Sequence, residues 1–330
     1  MNPDPTWKAV EPEPDRAAVM TDRRAQPPRT DPTWQPAGPD VPSALAQQPD
    51  PLQALAAADI PAIILRGAYP PADAAGLIRR LVSHALMPDP AAPALAGEPR
   101  KRIDIGTSLG NRGGDQEAFL QHAAGTHALF STLFDGFQNP VDTMYQSLSA
   151  LAGGKQVLTA REPDGRRYGP AIFRIHYGDH AYAPHFDSVR IREQRLNYAV
   201  SRFDHQFAGI LCLQNDAPEG SSQTIVHRCL WTPEVRPRLA AGSFHSYAAE
   251  RNLGCCPVGA EPRRSLFLQH PVHPRGARPA GKFAADRAGG VHRVFTKRSR
   301  NLRLVIRVAV VRGAALAAKN EQSPRGRICV

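Results

Sequence analysis

The stretch AIFRIHYGDHAYAPHFDS, Ala171–Ser188, decides how the second half of this chain is read. Its apolar residues recur with period two and are broken by Gly178, Asp179 and Pro184, which is the pattern of short strands separated by tight turns. If YAPHFDS is a strand, His185 and Asp187 point to one face and Phe186 to the opposite layer. An imidazole and a carboxylate on one face make half of a site for a divalent metal, and iron suits that ligand pair. Completing such a site takes a second histidine, and any acidic cosubstrate needs a cation.

The same period-two pattern continues in FAGILCLQND, SQTIVHRCLW, RSLFLQ and LRLVIRVAVV. Upstream of Tyr168 the pattern is different. IPAIILRG, Ile60–Gly67, is an apolar run closed by glycine. Leu77, Ile78, Leu81, Val82 and Leu86 follow at helical spacing. Two more helical patterns follow: one within Asp115–Phe137, and one that starts after Pro140 and stops at Gly153 and Gly154. Helices followed by many short strands predict an α+β chain, a barrel or jelly roll with helices against one outer face. Residues 1–55 are rich in Pro, Asp, Gln and Ala, repeat the word DPTW at Asp4–Trp7 and Asp31–Trp34, and show no apolar period. They are expected to form a disordered leader. A folded domain over 56–312 and a flexible basic tail over 313–330 complete the expected organisation.

Composition narrows the class. Of 330 residues, 42% are hydrophobic, enough for a sizeable core. No apolar run is long enough to span a bilayer. The five cysteines are odd in number and lack a CxxC pair, which suits reduced thiols and a cytoplasmic setting better than a disulfide framework. The net charge of +11 invites an anionic partner, but the excess arginines lie in two late stretches, around Arg263–Arg278 and Arg293–Arg312. With no zinc-finger spacing, basic heptad helix or aromatic RNA-binding word, a solvated surface explains them better than nucleic acid does.

His292 is the strongest candidate for the second histidine, because GGVHRVF runs from a glycine turn into a strand pattern. His245, His270 and His273 are rivals, the last two flanking Pro271 and Pro274 in a loop-like context. Arg303 lies inside LRLVIRVAVV, where Arg303, Val305 and Arg307 share one strand face. A guanidinium in so apolar a strand calls for an anion, and a carboxylate fits its planar fork.

Together YAPHFDS, GGVHRVF and Arg303 resemble the HxD…H…R pattern of the Fe(II)- and 2-oxoglutarate-dependent dioxygenases, and RIHYGDHAYAPHFD is similar to the approach to the first ligand in the prolyl-hydroxylase-like branch. The resemblance spans roughly Ile60–Val311 in element order. It implies a double-stranded β-helix (jelly-roll, cupin-like) core buttressed by the N-terminal helices. It also implies Fe(II) held by His185, Asp187 and His292, and 2-oxoglutarate held by Arg303, with Arg174 and Tyr182 as further cosubstrate or substrate contacts. The activity implied is hydroxylation of a small molecule with release of succinate and CO2. Arginines 190, 192 and 195, just after the first two of these ligands, either favour a carboxylated or phosphorylated small molecule or form an exposed turn. The halogenating branch has Gly or Ala where this chain has Asp187, and DNA-repair members have a second arginine where it has Ala309. Both differences point to hydroxylation of a substrate other than nucleic acid.

The chain also departs from the family pattern. Val305 stands where relatives carry Ser or Thr, Ile175 where some carry a cosubstrate-binding Tyr, and Arg263-Arg264 where a Gly-Asp turn is usual. Residues 271–290 look inserted. Two alternatives stay open: a non-catalytic jelly roll with a degenerate metal site, and a protein or peptide hydroxylase.

Overall fold

The computed structural model describes residues 29–89, 102–176, 182–203, 205–215, 223–259, 262, 265–270, 290–293, 301–310 and 327–329. Helices come first: α1 (Val41–Gln47), α2 (Pro51–Ala56), then strand β1 (Ile63–Leu65) and α3 (Pro71–Ser83). β2 (Ile103–Gly106), α4 (Leu109–Arg112), α5 (Gln116–Leu133), α6 (Pro140–Leu151) and β3 (Gln156–Leu158) follow. The strand-rich half holds β4 (Ile172–His176), β5 (Tyr182–His185), β6 (His205–Asn215), β7 (Gln223–His227), α7 (Val235–Ala240), α8 (Phe244–Glu250) and β8 (Cys255–Gly259). It closes with β9 (Ser265–His270), β10 (Gly290–Arg293), β11 (Asn301–Val310) and β12 (Arg327–Cys329).

Local chemistry sets the ends of the long helices. Asp115 caps α5 by accepting from the Glu117 and Ala118 amides, Asn139 caps α6 by accepting from those of Val141 and Asp142, and Pro140 occupies the first turn of α6. Helix α6 ends before Gly153 and Gly154, both at positive φ, as the sequence predicts.

The strands form two sheets. One has eight strands in the order β1-β9-β6-β11-β12-β3, with β4 also paired to β11 and β2 to β4. The other has four, in the order β5-β10-β7-β8. Neighbours such as β4 and β11 lie far apart in sequence, so the hairpin-by-hairpin order of a simple meander is ruled out. Phe173 and Ile175 of β4 pack with Leu77, Phe130, Leu133 and Met144 of α3, α5 and α6. Ile172 and Ile210 pack instead with Val226, Cys256 and Val258 of the four-stranded sheet. The eight-stranded sheet therefore has one face on helices and one on the smaller sheet, which requires apolar residues on both faces and explains its near-continuous hydrophobic runs.

Two expectations about the chain's ends change. The disordered leader does not extend to residue 55, because 29–55 carry α1, most of α2 and a strap across both sheets. In that strap Thr30 bridges to Cys255 and Ala37 to Ile63. The sequence reading failed there because one large side chain, not a period, carries the burial. Trp34 is 2% exposed, packs into the inter-sheet cluster and donates from Nε1 to Ala58 O at 3.0 Å. Residues 1–28 lie outside the described residues, as does the expected insertion up to residue 289. The tail is not featureless either: β12 pairs antiparallel with β11 and parallel with β3. Trp34→Ala is expected to cost about 3–5 kcal/mol, the usual range for an aromatic core truncation, with no effect on metal binding. Urea unfolding measures it, and an unchanged midpoint would show that the strap is decoration.

Candidate active site

Strand β5 stops at His185, so Asp187 sits on irregular backbone just beyond the sheet. The sequence places both on one strand face; in the structure only His185 is in the strand, and irregular backbone carries Asp187. Phe186 between them is 3% exposed and anchors in a cluster with Cys229, Val235 and Phe244, the separate layer expected of it. His185 Nδ1 lies 2.8 Å from Ala183 O. A carbonyl only accepts, so Nδ1 carries a proton, and the ring turns its other nitrogen, Nε2, away from that bond. That Nε2 lies 3.9 Å from Asp187 Oδ1. Holding an imidazole by one nitrogen so that the other faces a carboxylate is how proteins orient metal-binding histidines. The pair fits a divalent ion. Among the described residues no cluster of three His, Cys, Asp or Glu side chains forms.

The third expected ligand is described by backbone register. His292 is in β10, which lies between β5 and β7; Val291 pairs with His185, Arg293 with Tyr182, and the register shifts between them. On the other side His292 pairs with Ile225. The strand carrying His292 is thus the direct neighbour of the strand carrying His185. Of the rivals, His245 is in α8 with its ring 6.1 Å from His227, His270 ends β9 and His273 lies outside the described residues.

Arg303 in β11 pairs with Arg174 of β4 on one side and Cys212 of β6 on the other, beside a register shift. Arg174 is engaged: its Nη2 donates to Ser108 Oγ at 3.4 Å and its Nε is 4.0 Å from Asp104 Oδ1, a buried carboxylate that also meets Arg102 at 3.1 Å. Ile175 packs on the helical side, so its identity leaves the inter-sheet face unaltered. Tyr182 is placed by its pairing with Arg293.

The arginines after Asp187 have internal partners. Arg192 Nη1 donates to Asp187 Oδ1 at 3.1 Å, and Arg195 Nη1 meets Glu193 Oε2 at 2.9 Å and donates to Leu109 O. Sequence reasoning missed Arg112 in α4. Its Nε and Nη2 are buried with no hydrogen-bond partner among the described residues. Burial lowers its affinity for its proton. Burial and the Arg112 charge pull the neighbouring His122 down to about 4, so that imidazole is neutral at pH 7 and adds no second positive charge beside Arg112. Leu109 of the same helix packs with Val189, two residues past Asp187, which puts α4 against the segment that follows the His185–Asp187 pair. A lone arginine within LGNRGG carries no sequence signal of its own; only its burial distinguishes it.

The sequence family described as carrier-protein-independent halogenase WelO5 matches residues 40–252. No curated protein matches the chain by sequence. Among solved structures, an N-substituted L-amino acid dioxygenase from Burkholderia ambifaria AMMD is 12% identical, with 84% of this chain and 90% of that one covered at a TM-score of 0.46. A prolyl-4-hydroxylase from Pseudomonas putida is 13% identical over 76% and 93%, at 0.33. HygX from Streptomyces hygroscopicus, with nickel and 2-oxoglutarate bound, is 10% identical over 79% and 86%, at 0.38. The family match runs from α1 through α8 and takes in the His185–Asp187 pair. On that match the chain belongs to the WelO5 family, and so to the Fe(II)- and 2-oxoglutarate-dependent oxygenases, whose metal and cosubstrate are its own.

Proposed function

We propose that the protein hydroxylates a small, anionic molecule with release of succinate and CO2, in a double-stranded β-helix formed by the two sheets. His185, Asp187 and His292 hold the metal, and Arg303 pairs with the far carboxylate of 2-oxoglutarate. The observation that carries this reading is the His185–Asp187 pair: a histidine fixed at Nδ1 by Ala183 O, with Nε2 turned toward a carboxylate oxygen 3.9 Å away. The backbone adjacency of β10 to β5 supports His292 as the third ligand.

Bound Fe(II) supplies the oxygen chemistry that couples decarboxylation of 2-oxoglutarate to oxidation of a substrate C–H bond. The chain's own residues do the rest. Ala183 O keeps the His185 proton on Nδ1, and Phe186 clamps the backbone between the two ligands. Arg303 offers a fork to a carboxylate, where a point charge would hold it less firmly. Arg112, whose Nε and Nη2 are buried without a hydrogen-bond partner among the described residues, supports the anionic substrate class in place of arginines 190, 192 and 195, since a buried guanidinium is stabilised by any anion that reaches it.

The family description makes halogenation the second reading. Against it stands Asp187, which fills with a carboxylate the place that the halogenating branch leaves to chloride. Anaerobic addition of Fe(II) and 2-oxoglutarate should give a weak visible charge-transfer band. A succinate-release screen should then favour acids over their amides. Absence of the band in folded protein would leave a jelly roll with a degenerate site, amides turning over as well as acids would remove the anionic preference, and chlorinated product would favour the second reading.

A further inference from the structure

We propose that Arg192 is a positioning residue for the metal, holding the Asp187 carboxylate in the orientation from which it ligates; the inference rests on the reading of Asp187 as a ligand. Because β5 ends at His185, Asp187 lies beyond the strand on irregular backbone. The last torsion of an aspartate is broad, so an unsupported carboxylate samples a wide arc. Arg192 narrows it. Its Nη1 donates to Asp187 Oδ1 at 3.1 Å and lies 3.5 Å from Phe186 O, so one guanidinium brackets the ligand and the peptide before it.

Arg192 is itself held by the turn that follows the ligands. Ser188, 1% exposed, accepts at its carbonyl from the Arg192 and Glu193 amides at 3.2 and 3.0 Å, and at Oγ from the Ile191 amide at 3.0 Å. The Arg195 amide donates to Val189 O at 2.9 Å, and Arg195 Nη1 donates to Leu109 O, tying the turn to α4. This chain of contacts sets where the guanidinium lies. A carboxylate has about four lone-pair directions, so a hydrogen bond from Arg192 is compatible with ligation of a metal by the same group. Asp187 is a better-shielded group than its partner, with side chains 16% and 48% exposed. Losing Arg192 therefore costs little packing, and its effect should appear at the metal.

The test is calorimetric titration of Ni(II) into the full-length metal-free chain and its Asp187→Asn, Arg192→Leu and Arg192→Lys variants, with thermal unfolding in chelator as the folding control. Arg192→Leu should weaken Ni(II) binding about 10- to 100-fold, the usual cost of removing a group that orients a ligand, with an unchanged thermal midpoint. Lysine should recover part of the loss, because it restores the charge without the fork. The Co(II)-substituted leucine variant should also show an altered visible spectrum at saturation, which a purely structural role would leave alone. If Asp187→Asn weakens Ni(II) and Arg192→Leu does not, the role of Arg192 is refuted while Asp187 stays a ligand. If Asp187→Asn leaves Ni(II) affinity unchanged, both fall.

Discussion

Asp187→Gly is expected to abolish substrate hydroxylation, lowering succinate-coupled turnover by more than about 100-fold, the upper end of what loss of a supporting contact alone costs a metal site. The substitution removes a proposed ligand. It also leaves the Arg192 guanidinium without the carboxylate it meets at 3.1 Å, so the site loses an anion while keeping the cation that faced it. Added chloride should therefore restore part of the lost Ni(II) affinity in this variant and have no such effect on the parent. Mass spectrometry of the product in chloride then asks whether a family described by halogenation is one residue away in this chain. Undiminished hydroxylation by Asp187→Gly would remove Asp187 from the ligand set.

The second large effect belongs to Arg303. Arg303→Leu should keep the fold and the metal but raise the 2-oxoglutarate requirement by about two orders of magnitude, from losing roughly 3 kcal/mol of charge-assisted bonding. Lysine should rescue only part, since an ammonium replaces a planar fork with a point charge. Register gives the expectation its structural footing. Arg303 pairs with Arg174, which alternates along β4 with the helix-facing Phe173 and Ile175 and so shares a face with Ile172 of the inter-sheet cluster. Arg174 cannot take over freely, because Asp104 and Ser108 already engage it. Coupled succinate release measures the requirement; no change would move the role to Arg307.

Much of this was legible in the sequence because strand alternation is a local property. The runs around Ile172, Phe207, Ser265 and Leu302 all became strands, and the helical patterns ending at Ser83, Leu133 and Leu151 all became helices. Helices α7 and α8 were missed, since VRPRLA and FHSYAAE are too short for a period to emerge. Strand β8 was missed because Pro257 interrupts it. At the site, spacing alone suggested that His185 and Asp187 belong together. It could not show that the strand stops at His185, nor that Arg192 folds back on the carboxylate. Those facts depend on hydrogen bonds accepted by Ser188 and Ala183, which leave no repeating mark in sequence. Arg112 was invisible for a related reason: an arginine's worth as an anion site depends on what does not surround it.

The strap over residues 29–37 has a consequence for how the molecule is made. Asp31 donates its amide to Cys255 O at 2.8 Å, and Cys255 donates back to Arg29 O at 2.9 Å. These residues are among the first described to leave a ribosome, and their partners emerge more than two hundred positions later. Strand β1 likewise waits for β9, and β4 for β11. Closing such distant pairs costs chain entropy before any contact repays it, which slows folding. Vectorial synthesis thus delivers Trp34 exposed, and it stays so until Val226, Cys256 and Val258 have been translated to receive it.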